Sequence, residues 1–366
     1  MIRIRPGRVV EITGRRPGLS ELMVETEGRV EKAVNYDELT GPVAVGDRVA
    51  LNTSAVNLGL GTGGVHFVML NLERAVRDAP KAGHIMKLRY TPFQVQVLAV
   101  EEEASPHFAA IRDCESLERL PVAVGSLHSM LGPFAAAVKL LAPEVRLVYL
   151  MTDGGALPLA FSRLVRQLRD RGLLDATVTC GHAFGGDYEA VNVYSGLLAA
   201  RAAAGADMVI AVMGPGIVGS GQTYGFTGIE QGEIINAVGV LGGTPIAIPR
   251  ISFADPRDRH RGVSHHTLTA LGRVALQPAL VALPRLDPAA QRLLEVQLAT
   301  AGIPDRHQVV IADGKPALEA LEAYRLNVTT MGRGPAETPE FFLACGAAAR
   351  LAVDAYRTAR TPNRRS

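Results

Sequence analysis

Polar and glycine residues follow four apolar stretches of the sequence, and several of them are residue types that perform acid–base chemistry. His128 lies in the run Gly-Ser-Leu-His-Ser, Asp153 in Thr-Asp-Gly-Gly, and His182 in Gly-His-Ala-Phe-Gly-Gly-Asp. A carboxylate or a neutral imidazole in such a position can act as a general base or bind a metal. Asp153 is the strongest single candidate, although aspartate is equally suited to cap a helix.

The fourth run, Gly-Pro-Gly-Ile-Val-Gly-Ser-Gly-Gln-Thr-Tyr-Gly at residues 214–225, predicts a loop whose backbone N–H groups hold an anion. The candidates within it are Gly214, Gly216, Gly219, Ser220 and Gly221. Its first glycines have the spacing of a dinucleotide fingerprint, but a fingerprint loop runs directly into a helix and needs an acidic residue after the next strand. Because neither condition is met, we expect a phosphate or carboxylate here, and the sequence identifies no cofactor.

The segment 252–267 contains three of the nine histidines and is rich in arginine. Arg257 and Arg261 are candidates to bind an anion, because guanidinium groups pair with phosphate and carboxylate oxygens. Ser264 fits a helix N-cap, which places His265 in the first helical turn. We expect His265 to be neutral there, since a helix start disfavours a cation. It is therefore a candidate base or metal ligand, with an ordinary solvated loop as the alternative.

Weaker patterns complete the set of candidate sites. Cys180-x-His182, followed by Asp187 and Glu189, has residue types that bind metals at short spacing. Without a second Cys/His pair, this pattern alone does not identify a metal site. The glycine-rich stretch 59–64 predicts a hairpin or a lid, and residues 329–334 predict another glycine loop that carries a cation, Arg333.

Bulk composition excludes several classes of protein. The 366 residues are 48% hydrophobic and 20% charged, with a net charge of +2, which is typical of a folded protein and not of a general nucleic-acid binder. No apolar run approaches the ~18 residues of a membrane span, and the charged start MIRIRPGR is not a signal peptide. Three cysteines without a CxxC pair indicate a reducing, cytoplasmic location. Because no apolar run is long enough to span a bilayer, we expect no membrane partner.

The first part of the chain predicts a small barrel. Within about 70 residues, five short segments rich in Val, Ile and Thr alternate with turns such as Arg-Pro-Gly at residues 16–18 and Gly-Asp at 46–47. This spacing is typical of an SH3-like or OB-like barrel. We therefore assign residues 1–75 to a β-barrel domain and 76–92 to a linker. Without exposed aromatic clusters, a packing or oligomerisation role is favoured over nucleic-acid binding.

The remainder predicts an α/β domain over residues 93–356, followed by a frayed basic tail at 357–366. Apolar stretches without alternation indicate strands covered on both faces, in a mostly parallel, Rossmann-like sheet. Helix starts are marked by Asp287-Pro288 and Thr338-Pro339. The predicted strands are 94–100, 121–124, 146–151, 176–180, 207–213, 245–251, 278–283 and 307–312, and the predicted helices are 157–171, 189–204, 230–240, 288–301 and 338–356.

Four stretches together resemble an uncharacterised bacterial family defined as a domain of unknown function. They are Gly-Leu-Gly-Thr-Gly-Gly at 59–64, Gly-His-Ile-Met-Lys-Leu-Arg-Tyr-Thr-Pro at 83–92, Met-Thr-Asp-Gly-Gly at 151–155 and Gly-Gln-Thr-Tyr-Gly-Phe-Thr-Gly at 221–228. The resemblance spans nearly the whole chain. It implies a small β-domain followed by a larger α/β part, and it supplies no catalytic residue, cofactor or substrate.

The carboxyl ends of parallel strands share one edge of a sheet, so the four polar runs predict a single ligand crevice. The leading hypothesis is a hydrolase or group transferase acting on a small anionic, phosphorylated substrate, and a homo-oligomeric assembly is expected. The alternative is a non-catalytic metabolite sensor or scaffold whose crevice binds the ligand and whose barrel contacts a partner.

Overall fold

The computed structural model describes residues 1–59, 64–74, 76, 78 and 82–360, and the chain divides into two compact units, Met1–Val97 and Leu98–Ser366. Most of the glycine stretch 59–64 and the tail residues 361–366 lie outside the described residues, as do parts of the predicted linker. Residues 357–360 of the predicted tail are the last turn of a helix. No helix within the described ranges is both long and apolar enough to span a bilayer.

The first unit contains a closed barrel in which the strands follow the order β1-β2-β3-β5-β4. Only β3 and β5 pair in parallel, and alternate residues such as Leu22 and Val24 fill the interior. The predicted five-stranded barrel is therefore confirmed. Its elements are β1 (Ile4–Arg16), β2 (Leu19–Thr26), β3 (Arg29–Tyr36), α1 (Asp37–Thr40), β4 (Arg48–Asn52), α2 (Ser54–Asn57) and β5 (His66–Asn71), followed by a small antiparallel pair, β6 (Ile85–Lys87) and β7 (Val95–Val97).

The second unit is built on an eight-stranded sheet whose pairings are all parallel, which confirms the α/β prediction. Residues 95–97 of the predicted strand 94–100 form β7, which pairs with β6 outside this sheet, whereas Ala99 bridges Glu189 at the edge of the sheet. The short edge strand β11 was not predicted. The sheet strands are β8 (Pro121–Val124), β9 (Leu147–Thr152), β10 (Ala176–Thr179), β11 (Tyr188–Glu189), β12 (Met208–Met213), β13 (Thr244–Ala247), β16 (Leu280–Pro284) and β17 (Gln308–Ala312); β14 (Ile251–Ser252) and β15 (Gly262–Val263) form a separate antiparallel pair.

Helices cover both faces of this sheet. Successive residues of one strand, such as Tyr149 and Leu150, belong to two different apolar clusters, as expected for strands buried on both sides. The first cluster packs against α4, α10 and α11, and the second against α6, α7 and α9. The helices are α3 (Phe108–Arg112), α4 (Leu131–Leu141), α5 (Arg163–Asp170), α6 (Val193–Ala202), α7 (Glu230–Val240), α8 (His265–Thr269), α9 (Pro288–Thr300), α10 (Lys315–Ala323) and α11 (Pro339–Arg360).

The strand order, β11-β10-β9-β12-β8-β13-β16-β17, fixes where a crevice opens. The connection after β8 enters α4 on one face of the sheet, whereas the connection after the neighbouring β12 enters α7 on the other face. Adjacent strands whose connections diverge in this way form a topological switch point, where α/β sheets bind ligands. The loops that start at Gly125 and Gly214 lie on either side of this point.

Candidate functional site

Two neighbouring cavities lie at this edge of the sheet. The first, which we call the switch-point crevice, has a volume of about 360 Å³ and the second, the arginine cavity, about 170 Å³. Ile217 and Met331 line both, so the two adjoin. The crevice is lined by Leu127, His128, Ser129, Arg163, Leu164, Gln167, Pro215, Gly216, Ile217 and residues 327–331; the arginine cavity is lined by Ile217, Gly219, Gly221, Arg250, Arg257, Arg259, His260, His266 and Met331.

A tight turn at residues 330–333 positions Met331 between the cavities. The N–H groups of Thr330 and Arg333 each donate to the other's carbonyl at 2.9 Å. The two central residues have left-handed backbones, with φ of 48° at Met331 and 79° at Gly332. This is the pattern of a type I′ turn, which requires φ > 0 at both central positions. The sequence prediction of a glycine loop beside a cation at 329–334 matches this turn.

Arginine dominates the charge of the smaller cavity. Asp255 accepts from Arg257 Nε and Nη2 at 2.9 Å each and from the buried Arg250 at 3.4 Å. The bonds from Arg257 lower the pKa of Asp255, so this carboxylate stays ionised. Burial, with repulsion from Arg257 and Arg333, lowers the pKa of Arg250 to about 10 and leaves it charged at neutral pH. Of the three lining arginines, Arg250 and Arg257 thus share one aspartate.

Arg259 is the least engaged of these arginines. It forms no hydrogen bond or ion pair with any other residue of the described ranges, whereas Arg250 and Arg257 share Asp255. Arg257 was predicted from the sequence, and the structure places it in the lining. The other predicted arginine, Arg261, is exposed and is not among the lining residues. Arg250 and Arg259 are the arginines that sequence reasoning missed.

Three histidines lie together beside the arginines. One ring nitrogen from each of His260, His265 and His266 lies within 4.8 Å of the others. Ser264 caps α8 as predicted, since its Oγ accepts the N–H of His266 at 3.3 Å. Burial lowers the pKa values of His260 and His266 to about 3, and repulsion by Arg250 contributes. Burial followed by Arg259 lowers the pKa of His265. All three rings are therefore neutral at neutral pH, as predicted for His265.

The predicted anion loop, residues 214–225, meets both cavities but uses some of its own backbone donors. Gly216 lines the crevice, and Gly219 and Gly221 line the arginine cavity. Gly214 packs against the Ala156 carbonyl instead. The Ser220 N–H and Oγ both donate to the Gly225 carbonyl, at 2.8 and 2.9 Å, so Ser220 closes the loop. Arginine side chains, more than a nest of amides, supply the positive charge here.

His128 has a partner at each ring nitrogen. Its Nδ1 lies 3.2 Å from the Met213 carbonyl, and its Nε2 lies 2.7 Å from Ser162 Oγ. With the proton on Nδ1, the ring donates to Met213 while the Ser162 hydroxyl donates to Nε2. Burial lowers the pKa of His128 to about 4. The ring borders the crevice, but its contacts are those of a structural histidine.

Asp153 and His182 meet through the backbone. Asp153 Oδ2 accepts the N–H of His182 at 2.9 Å, so the carboxylate holds the turn after β10. The strand ends that lead to Asp153 and Arg250, β9 and β13, are three positions apart in the sheet, about 14 Å at ordinary strand spacing. Asp153 and His182 therefore follow strands at a different part of the sheet edge from the segment that contains His265.

The acidic residues near Cys180 that were candidate metal ligands form hydrogen bonds and ion pairs within the fold. Asp187 pairs with Arg169 at 2.6 Å and accepts from Thr177, and Glu189 accepts from Thr179 Oγ1 at 2.8 Å and from the Gly185 N–H. Across the part of the chain that the structure describes, the histidine cluster is the one group of three His, Cys, Asp or Glu side chains placed to hold a metal ion.

Glu230 is a functional candidate that the sequence did not reveal. Its Oε1 accepts from Thr152 Oγ1 at 2.6 Å. Burial, with repulsion from Asp153 and Glu233, raises the pKa of Glu230 to about 7. A carboxyl group that titrates near neutral pH is suited to general acid–base catalysis. Its partner is 78 residues away in the sequence, so the surrounding residues gave no signal.

Comparisons with known proteins identify the family but not an activity. No curated protein and no solved structure matches the chain. Residues 32–349 match a family described as protein of unknown function, DUF3866. The match covers nearly the whole chain and confirms the resemblance predicted from the sequence. The chain belongs to the DUF3866 family.

Proposed function

We propose that the protein binds a small organic anion at the switch point, with the anionic group in the arginine cavity and the rest of the ligand in the adjoining crevice. The observation that carries this proposal is the surplus of positive charge in a small cavity. Three arginines line it, and Asp255 pairs with two of them, Arg250 and Arg257. Arg250 is buried, Arg257 half-buried and Arg259 exposed, and like charges this close repel one another, so an anion among them would stabilise the arrangement.

The two cavities suit the two parts of such a ligand. Guanidinium groups donate paired hydrogen bonds to phosphate and carboxylate oxygens, which favours either group in the arginine cavity. The crevice offers apolar side chains, including Leu127, Leu164 and Val328, with Arg163 and Gln167 as polar contacts. Pockets of this mixed kind are typical of small-molecule sites. A phosphorylated metabolite with a partly apolar body fits both.

Hydrolysis or group transfer is the reaction class that we propose for this ligand. The support is Glu230, whose pKa of about 7 suits a general base and whose Thr152 partner ends β9 beside β12. Strand β12 leads directly into the 214–225 loop that reaches both cavities. A reducing, cytoplasmic location fits the three free thiols, Cys114, Cys180 and Cys345. A sensor would bind the same ligand without turnover.

Calorimetric titration with inorganic phosphate tests whether the protein binds an anion. Two variants are compared with the wild type: Arg259→Met changes a lining residue of the arginine cavity, and Arg261→Met is its control. We expect Arg259→Met to weaken phosphate binding at least about tenfold, because a charge-assisted hydrogen bond is lost. Arg261→Met should bind like the wild type, since Arg261 is exposed outside the cavity. Absence of phosphate binding, or equal weakening in both variants, would refute the proposal.

Turnover of p-nitrophenyl phosphate then separates an enzyme from a sensor. This aryl phosphate offers an anion for the arginines and an apolar ring for the crevice. We expect release of p-nitrophenol by the wild type and its loss in Glu230→Gln, with phosphate binding retained. Binding of phosphate without release of product from this and other phosphate monoesters would favour the sensor.

A further inference from the structure

We infer that His260, His265 and His266 form a binding site for a divalent transition metal ion of the zinc class. One ring nitrogen from each histidine lies within 4.8 Å of the others. The ring centroids are 4.3 to 5.0 Å apart in all three pairs. Imidazole nitrogen is a preferred ligand of Zn²⁺. Catalytic zinc sites typically have three protein ligands, in some cases three histidines, and a fourth coordination position that is open to water or substrate.

The local fold brings the three rings together within seven residues. His260 ends a short 3₁₀ turn, and β15 then leads to Ser264, which caps α8. His265 and His266 are the first two residues of that helix. Phe226 stacks on His266 with ring centroids 4.0 Å apart and an interplanar angle of 6°, which limits rotation of this ring. The positions of the donors are therefore set by packing.

Unsatisfied nitrogen atoms are the second, independent observation. His265 Nε2 and His266 Nδ1 are buried without a hydrogen-bond partner. Leaving such atoms unpaired costs free energy, and each needs an explanation. His260 differs, because its Nδ1 lies 2.8 Å from Ser264 Oγ. Since Ser264 can accept the Nδ1 proton, Nε2 of His260 is left with a free lone pair, as in many metal-binding histidines.

The distances require only a small contraction. Zn–N bonds of about 2.0–2.1 Å in a tetrahedral site place ligand nitrogens roughly 3.4 Å apart. The widest pair of donors, within 4.8 Å, would therefore close by about 1.4 Å or less. Because His260 and His266 line the arginine cavity, the open coordination position would face the proposed anion.

Charge links the metal to the anion, and this part of the inference rests on the proposed function. Arg250, Arg257 and Arg259 repel a cation at the histidines, and a phosphate bound among them would offset that repulsion. Coupling between two ligands is reciprocal, so phosphate should tighten metal binding by the factor by which the metal tightens phosphate binding. We expect a factor of about ten or more, which corresponds to a coupling of typical size.

Cobalt absorption tests the metal site on the full-length chain. After removal of metals with EDTA and removal of the chelator, the protein is titrated with Co²⁺ alone, in phosphate-free buffer. We expect one equivalent to bind with the visible absorption of a four-coordinate site, and Zn²⁺ to displace it. His265→Asn should abolish the band, and so should His260→Asn, each with an unchanged far-UV circular dichroism spectrum.

His107→Asn is the matched control, because His107 is half-buried and stacks edge-on with Tyr188, away from the cluster. It should retain the full cobalt band. No Co²⁺ binding by the wild type, or a band that persists in both His265→Asn and His260→Asn, would overturn the inference. If one of the two histidine variants fails to fold, the cobalt band of the other variant provides the test.

Phosphate calorimetry in the presence of EDTA separates this inference from the proposed function. Phosphate binding without any cobalt band would refute the metal site and leave the anion site standing. A cobalt band that depends on His265 and His260, without phosphate binding in either buffer, would support the metal site and refute the anion proposal.

Discussion

Two sets of polar groups lie at the same edge of the sheet and differ in how completely they are paired. The paired set is His128 and Asp153: His128 contacts Ser162 and Met213, and Asp153 accepts the His182 N–H. The open set is Arg259, His265 and His266. Arg259 has no hydrogen-bond partner among the described residues, and one ring nitrogen of each histidine is buried without one.

The difference separates structural from ligand-binding roles better than residue type does. Both sets contain histidine, and both lie in segments that connect strands of one parallel sheet. A fully paired group stabilises the fold, whereas an unpaired buried group lowers stability unless a ligand satisfies it. Substitutions in the two sets should therefore differ in their cost in stability.

His128→Ala should destabilise the protein by about 3 kcal/mol, because it removes a packed ring and its hydrogen bonds with Ser162 Oγ and the Met213 carbonyl. His265→Ala should cost less than about 1 kcal/mol in metal-free protein, since the lost ring carries an unsatisfied buried nitrogen. Urea unfolding followed by circular dichroism measures both. Equal losses would mean that pairing does not distinguish the two sets.

Glu230→Gln should stabilise the protein by roughly 2 kcal/mol above pH 7 and by nothing below about pH 4.5. The folded-state pKa of Glu230 is raised from 4.5 to about 7, so folding favours its protonated form. The stability of the wild type is therefore fullest below pH 4.5 and falls as the pH rises through 7. Glutamine can still accept from Thr152 Oγ1 and carries no charge. Unfolding curves of both proteins at several pH values provide the test, and a difference that does not change with pH would contradict it.

Ser264→Ala should lower stability by about 1 kcal/mol, because α8 loses its N-cap. It should also weaken cobalt binding about tenfold, because Ser264 orients the His260 ring. The cap at Asp287, which accepts from the N–H groups of Ala289 and Ala290, offers the control. Asp287→Ala should cost similar stability and leave cobalt binding unchanged; a loss of cobalt affinity there would indicate a general effect of destabilisation.

Local patterns in the sequence predicted much of the fold. Apolar runs placed seven of the sheet strands, and the caps at Ser264 and Asp287 lie at helix starts as expected. Most of the run 94–100 was assigned to the wrong sheet, since residues 95–97 pair with β6 and Ala99 alone of its described residues bridges the edge of the large sheet. An apolar stretch does not reveal its pairing partner. Strand β11 has two residues, too few to give a pattern.

The site could be predicted only in part, since pairing depends on contacts between distant residues. The spacing of His260, His265 and His266 contained a signal for the cluster. Arg257 and Gly219, which the sequence predicts as anion-binding residues, line the same cavity. The sequence did not show that Ser162 pairs with His128, or that Thr152 pairs with Glu230. Which polar residues are satisfied, and which remain open, follows from the tertiary structure.

A crystal structure of the protein soaked with Zn²⁺ and phosphate tests the central claim most directly, with diffraction data collected on both sides of the zinc absorption edge. We predict an anomalous peak among His260, His265 and His266, with phosphate density against Arg257 and Arg259. Zinc and phosphate bound beside Asp153 and His182, with the histidine cluster and the arginine cavity empty, would contradict it.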